Sequence, residues 1–383
     1  MARVPGALVA ALVCGLAGRW AFTGSLWAAP SLRRWKLSKV SRRSGPELVA
    51  AASAGDAAQV EELLRSGVEP NAADANGQRP LIAASAQGHM EVMEQLLASG
   101  ADVNAVNQQQ ATALIAAAFA GGAEPVQVLL QAKAHVEAAT ASGATPLAAA
   151  AEGNKTEVVA ALISAGASVN AADGMGVTPL HRASQFGLMD IVVQLLEADA
   201  DVNSLTDEML TPLMFAARGG FSDVMAELIE AGADIDLREQ KGGTALFEAA
   251  RYGQSEAVAF LLALESDVDT QRKDGASPLM VAAQGGKGGV VQELLQANAT
   301  VELAREDGCT ALMFAAMSGH GPVVDALLQA RADPNNVDKN GVTAIKIAKQ
   351  NRYPDVVRKL RFGGASGTIG AGRAIDIGEL FSN

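Results

Sequence analysis

Asp173 to Leu205 reads DGMGVTPLHRASQFGLMDIVVQLLEADADVNSL. Gly174 and Gly176 permit the tight backbone of a hairpin-like turn. Thr178 is placed to cap a first helix, and Pro179 opens that helix at the position where a missing N–H leaves no bond unmade. Leu180, Ala183 and Ser184 give it a small, close-packing face. Gly187 ends it, because the chain must reverse there through positive φ. Ile191, Val192, Leu195 and Leu196 then mark the apolar stripe of a second helix, and Asp201, Val202 and Asn203 form an extended return. The segment predicts a turn, a short helix, a reversal, a longer helix and a return.

The same pattern extends in both directions without insertion or deletion. Every thirty-third residue from Leu63 to Leu360 is a leucine, and a second ladder runs in phase from Leu48 through Leu180 and Leu213 to Leu312, closed by Ile345. The reversal position is glycine at 55, 88, 121, 187, 220, 253, 286 and 319, with Asn154 and Arg352 as exceptions. Self-similarity at this period means stacked units, each burying its apolar face only against its neighbours. It also lowers the expectation of an enzyme, since such an array offers a long surface more readily than a deep pocket.

The TPLH-x-A-x-x-x-G core at Thr178–Gly187, the partial matches at Thr145–Leu147 and Thr211–Leu213, and the returns Gly100–Asn104 and Gly166–Asn170 carry a specific resemblance. At a 33-residue period they resemble the ankyrin repeat. The resemblance covers residues 46–361 as an N-terminal helical pair, Pro46–Ala73, followed by nine units starting near Asp74, Asn107, Thr140, Asp173, Thr206, Glu239, Arg272, Arg305 and Asp338. It implies an all-α ankyrin-repeat solenoid of stacked helix-turn-helix units with hairpin-like turns. Turns and first helices would line a concave groove on a slightly curved, right-handed stack. The sequence departs from the family in keeping the histidine after TPL only at His181. The last unit places Lys346, Lys349, Arg352, Arg358 and Lys359 where other units are mostly apolar or neutral, as a solvent-facing cap requires.

Charge divides the chain. Residues 1–45 carry eight Lys/Arg and no acid, residues 47–337 carry 14 basic and 38 acidic side chains, and residues 338–361 carry seven basic and two acidic ones. An acidic midsection repels polyphosphate, so no nucleic acid is expected as a partner. Cys14 and Cys309 are the two cysteines, which excludes a disulfide framework or a CxxC metal site.

The ends lie outside the register. Arg3, the apolar run Val4–Gly18 and the small residues Gly15 and Ala17 have the parts of a secretory signal, and the run is shorter than the roughly 20 residues that span a bilayer. The Arg/Ser-rich stretch after it resembles a transit sequence. Residues 1–45 are therefore read as a signal- or transit-like leader that directs secretion or organelle import, plastid-like, in preference to a cytoplasmic location. A membrane anchor and an untargeted leader are the alternatives, and membrane contact is expected only through this leader. Residues 362–383 open with scattered glycines that lack the βαβ context of a dinucleotide fingerprint. They are read as a flexible tail, with docking of Ala374–Phe381 as the alternative.

Candidate chemistry is sparse. His89 and His320 follow reversal glycines, His181 is a turn histidine and His135 lies in a return, so each is expected to be structural. Cys309 is expected to be an ordinary turn thiol. No metal spacing, P-loop or nucleophile elbow is present, so neither cofactor nor metal is expected and the chain is not read as an enzyme. The groove is then the functional surface, and aromatics with arginine are the usual anchors of an interface. Gln185, Phe186, Arg218, Arg251 and Tyr252 on first helices, with Met175, Met209 and Lys241 in turns, are the candidate contacts. The competing reading tucks Phe119 and Phe186 between repeats as core. The expected function is a monomeric, non-enzymatic scaffold that binds another protein; alternatives are a subunit that recruits or inhibits an enzyme, and a membrane-tethered adaptor.

Overall fold

The computed structural model describes residues 45–363. The leader and the C-terminal tail lie outside those residues except for Gly45, Phe362 and Gly363, which are helical. The regular elements described are twenty α-helices with no sheet, which begin at Gly45 and end at Gly363, slightly beyond the expected 46–361. None of these helices is long and apolar enough to cross a membrane.

Two compact units divide the chain at Asp207 and Glu208. The first contains ten helices, from α1 (Gly45–Ala54) to α10 (Met189–Glu197). The second contains ten more, from α11 (Pro212–Gly219) to α20 (Pro354–Gly363). After the N-terminal pair, helices alternate between a shorter first member and a longer second member of each repeat, as in α9 (Pro179–Gln185) followed by α10.

Local chemistry starts and stops these helices. The side-chain oxygens of Thr112, Thr145, Thr178, Thr211, Thr244, Ser277 and Thr343 accept the N–H three residues on at 3.2–3.4 Å, satisfying an amide that a helix start leaves without a partner. The reversal glycines hold φ between +67° and +93°, and Asn154 and Arg352 adopt the same left-handed backbone at +55° and +61°. Asparagine tolerates that region better than other non-glycine residues.

The core follows the two ladders. Every leucine from Leu63 to Leu360 in the first ladder is buried, as is every leucine of the second. Ile345, in the last repeat, is half-buried. At roughly 1.5–3 kcal/mol for each buried aliphatic side chain, these rungs stabilise each unit repeat by repeat.

The turns stack through the backbone. In the first unit Ala141 N–H donates to Gln109 O at 2.8 Å, Gly174 N–H to Ser142 O at 2.8 Å and Asp207 N–H to Met175 O at 3.0 Å. In the second unit Gln240 donates to Glu208, Lys273 to Lys241, Glu306 to Asp274 and Lys339 to Asp307, at 2.7–3.1 Å. Each bond joins a turn to the turn one repeat before it. The turn backbones are thereby fixed from one repeat to the next.

Candidate partner-binding face

In the first unit, turn geometry rests on Asp173. Its Oδ1 accepts the N–H of Met175 at 2.9 Å and of Val177 at 3.0 Å, and its Oδ2 lies 3.0 Å from Arg182 Nη2. Met175 is 57% exposed although its carbonyl is held in the turn ladder. Gln185 and Phe186, at the end of α9, are half-buried, and Phe119 is half-buried too. His181 is fully buried: its Nδ1 accepts the Thr178 N–H at 3.2 Å and lies 2.9 Å from the Thr178 hydroxyl. That geometry braces a helix start. Glu152, at the end of α7 (Pro146–Glu152), has its carboxyl pushed above the ordinary range by burial, against the attraction of Arg182.

In the second unit the candidate residues differ in what holds them. Arg218, in the last turn of α11, donates from Nε to Glu248 Oε2 at 2.7 Å. Glu248 is buried on α13 (Ala245–Tyr252). The Arg218 guanidinium carbon also lies 5.6 Å from the ring centres of both Phe215 and Tyr252, within cation–π range, and Gln254 Nε2 donates to its carbonyl at 2.8 Å. Arg218 is therefore committed to its own fold on three sides. Arg251 and Tyr252 are both exposed, and Tyr252 presents one ring face to the fixed Arg218 while Arg251 lies 6.0 Å from the same ring. A rigid aromatic flanked by a held cation and a free one is the composition of an interface anchor.

The turn candidates are held by their backbones. Lys241 is exposed; its N–H donates to Glu239 Oε2 at 2.8 Å and its carbonyl accepts from Lys273. Met209 is 44% exposed and sits at φ +59°, where the corresponding residues of later turns are Gly242, Gly275 and Gly308, all at positive φ. A side chain there carries left-handed strain that glycine would avoid.

Four groups on this face escaped the sequence reading. Glu248 has the appearance of a solvated acid in sequence, and Glu239 of an ordinary turn acid. Arg272 and Arg305 occupy the turn slot that holds Asp173 or Glu239 in other repeats. The available signal was columnar: Arg218 with Arg251, and Arg272 with Arg305, recur one repeat apart.

Reactive chemistry is muted. His89 Nε2 lies 3.1 Å from Ser53 O and His320 Nε2 3.0 Å from Gln284 O, each ring joining one repeat to the preceding helix end. His135 donates its N–H to Asn104 Oδ1 at 2.8 Å. Cys309 is buried, its N–H bonded to Asp307 Oδ1 at 3.0 Å. Burial first, and the Asp307 carboxylate second, push its thiol up to about 11, leaving little thiolate at neutral pH. Among the described residues no group of three His, Cys, Asp or Glu is arranged to hold a metal ion.

A family model described as ankyrin repeats (3 copies) matches the chain at residues 48–140, 126–206, 190–274, 261–338 and 279–369. No curated protein matches it.

Proposed function

This chain belongs to the ankyrin repeat family, whose members generally mediate protein–protein interaction and are typically non-enzymatic, and from that premise we propose that it is a scaffold that holds a partner protein on its turns and first helices. The observation that carries the proposal is the exposed pair Arg251 and Tyr252 beside an Arg218 already immobilised by Glu248. Tyr252 rests against an arginine that is already held, so its ring loses less freedom on contact than an unsupported side chain would, while Arg251 remains available to pair with a partner. Within the second unit Met209 and Lys241 are further exposed candidates, the carbonyl of Lys241 being held in the turn ladder; in the first unit Met175 is the exposed candidate. In this reading the chain acts as a monomer, and its basic leader delivers it to a secretory or plastid-like compartment.

The test is a double substitution. Changing Arg251 and Tyr252 together to alanine should weaken partner capture by the full chain about ten-fold or more, with the thermal midpoint nearly unchanged. A large drop in stability with undiminished capture would show that the two residues pack instead of bind.

A further inference from the structure

We infer that the second unit carries a carboxylate-recognition pocket, framed by Arg251, Arg272 and Arg305, that takes an acidic side chain from a peptide segment of the partner. The inference rests on the interaction reading above and gives the partner its chemistry.

Turn chemistry is the starting point. An acid at the head of the turn accepts two backbone N–H groups, as Asp173 does for Met175 and Val177, and Glu239 for Lys241 and Gly243. Arginine cannot accept a hydrogen bond, so Arg272 and Arg305 break that local rule in two successive repeats. The acceptor has moved two residues along instead: Asp274 Oδ1 accepts the Ala276 N–H at 3.2 Å and Asp307 Oδ1 the Cys309 N–H at 3.0 Å. A local rule broken with a compensation built beside it is expected at functional or strained positions.

The freed slots place guanidiniums on a buried aromatic floor. Arg272 lies 4.9 Å from the ring centre of Phe247, and Arg305 lies 4.9 Å from that of Phe314, and both rings are buried. Arg305 is further oriented by its ion pair with Asp307. Arg272 Nε lies 3.1 Å from Glu239 Oε1 but off the line of a hydrogen bond, so this buried donor has no acceptor among the described residues. The Arg272 side chain is 11% exposed.

These two arginines and Arg251 line one cavity of about 150 Å³, with Asp274, Met280 and Phe314. Glu239 and Asp307, which orient the guanidiniums, are not part of the lining. At about 30 Å³ per water the volume suits a side-chain carboxylate and its methylenes and is too small for a nucleotide. Arg251 makes no ion pair among the described residues, so its planar fork is open to a bidentate carboxylate. A helix C-terminus accounts for the cation at the end of α13, whereas Arg272 and Arg305 reach the same cavity from turns, each held over a ring and beside a carboxylate. Arg272 faces Glu239, Arg305 faces Asp307 and Asp274 lines the cavity, so Arg251 is the one guanidinium of the three without an ion pair among the described residues and is the cation on which an incoming carboxylate would act.

The experiment uses the full chain and a fluorescent ten-residue peptide of alternating glutamate and leucine, with the glutamine–leucine peptide as control. The glutamate peptide should bind in a salt-sensitive manner. Binding should fall about ten-fold or more in Arg251→Glu, which touches an exposed, unpaired side chain, and in Arg272→Lys, which keeps the charge and loses the fork. Equal binding of the two peptides, or unchanged binding by Arg251→Glu, overturns the inference. So does binding that survives Arg251→Glu and is lost in Lys349→Glu/Arg352→Glu, since the anion site would then be the terminal repeat. Partner capture that depends on Arg251 and Tyr252, with no preference for the glutamate peptide, removes the carboxylate pocket and leaves the scaffold reading standing. An Arg251-dependent peptide site with capture indifferent to Arg251 and Tyr252 removes the scaffold reading instead.

Discussion

Arg218 and Glu248, thirty residues apart, form a 2.7 Å ion pair in which the carboxylate is 1% exposed and the guanidinium is 24% exposed. The pair links α11 to α13 and sets the surface on which Tyr252 rests. Removing the cation strands a buried charge, the costly half of such a pair. Arg218→Ala should therefore lower unfolding free energy by about 3 kcal/mol, whereas Arg251→Ala, one repeat along and unpaired, should change it by less than about 0.5 kcal/mol. Urea denaturation of the two variants measures the contrast. Equal effects would mean that the ion pair contributes nothing to the fold.

Met209 offers a test that separates backbone from side chain. Its left-handed conformation costs roughly 1–2 kcal/mol in an L-residue, and glycine returns about 0.5–1 kcal/mol of that through the freedom of its unfolded chain. Met209→Gly should raise stability by about 0.5–1 kcal/mol, while Met209→Ala, which keeps the strain, should not. Both variants remove the thioether, so both should weaken partner capture alike if the side chain makes the contact. Thermal melts and binding titrations on the same preparations read the two effects separately.

Acid should loosen the turn at Asp307. Its hydrogen bond with Arg305 holds the carboxyl down at about 2, below the ordinary 3.8. A depressed acid contributes stability that is present above its unfolded value and is lost as pH falls through the folded one. The wild-type urea midpoint should therefore decline between about pH 4 and pH 2 more steeply than that of Asp307→Asn. Glu152 has the opposite sign, since burial raises it: Glu152→Gln should be more stable than wild type at neutral pH.

A single rung tests the repeat energetics. Leu294 is fully buried, and Leu294→Ala should cost about 3–5 kcal/mol through lost transfer energy and the cavity left behind. In a linear array such a loss is felt first by the altered repeat and its neighbours. Hydrogen exchange should rise around residues 261–327 before it rises near Leu63. A uniform rise along the chain would contradict nearest-neighbour stacking.

The period made the fold readable, because caps, reversals and apolar rungs are dictated within one repeat: Thr178, Gly187 and Leu195 each act on residues close in sequence. The face that meets a partner was read less completely, because its geometry is set between repeats. Nothing local to Glu248 says that it is buried, and only the thirty-residue separation from Arg218 brings its countercharge near. Arg272 looks like a solvent-facing turn cation until Phe247, from the repeat before, is placed beneath it. Met209 reads as an ordinary turn residue because methionine carries no signal of a left-handed backbone, which its φ of +59° reveals. Of the candidate residues, exposure separates Arg251, Tyr252, Met175, Met209 and Lys241 from the half-buried Gln185, Phe186 and Arg218.

The hydrogen bonds that join successive turns from Gln109 to Met175 in the first unit and from Glu208 to Lys339 in the second have a mechanical meaning. Tension along such a chain meets a series of similar, separately breakable junctions. A repeat that lets go releases 33 residues of slack, about 110 Å when drawn out at roughly 3.4 Å per residue. Its neighbour then takes up the load. Stretched, each unit should yield as a sawtooth of nearly even teeth and wind back one tooth at a time, an extensible tether whose length follows the pull on whatever it holds.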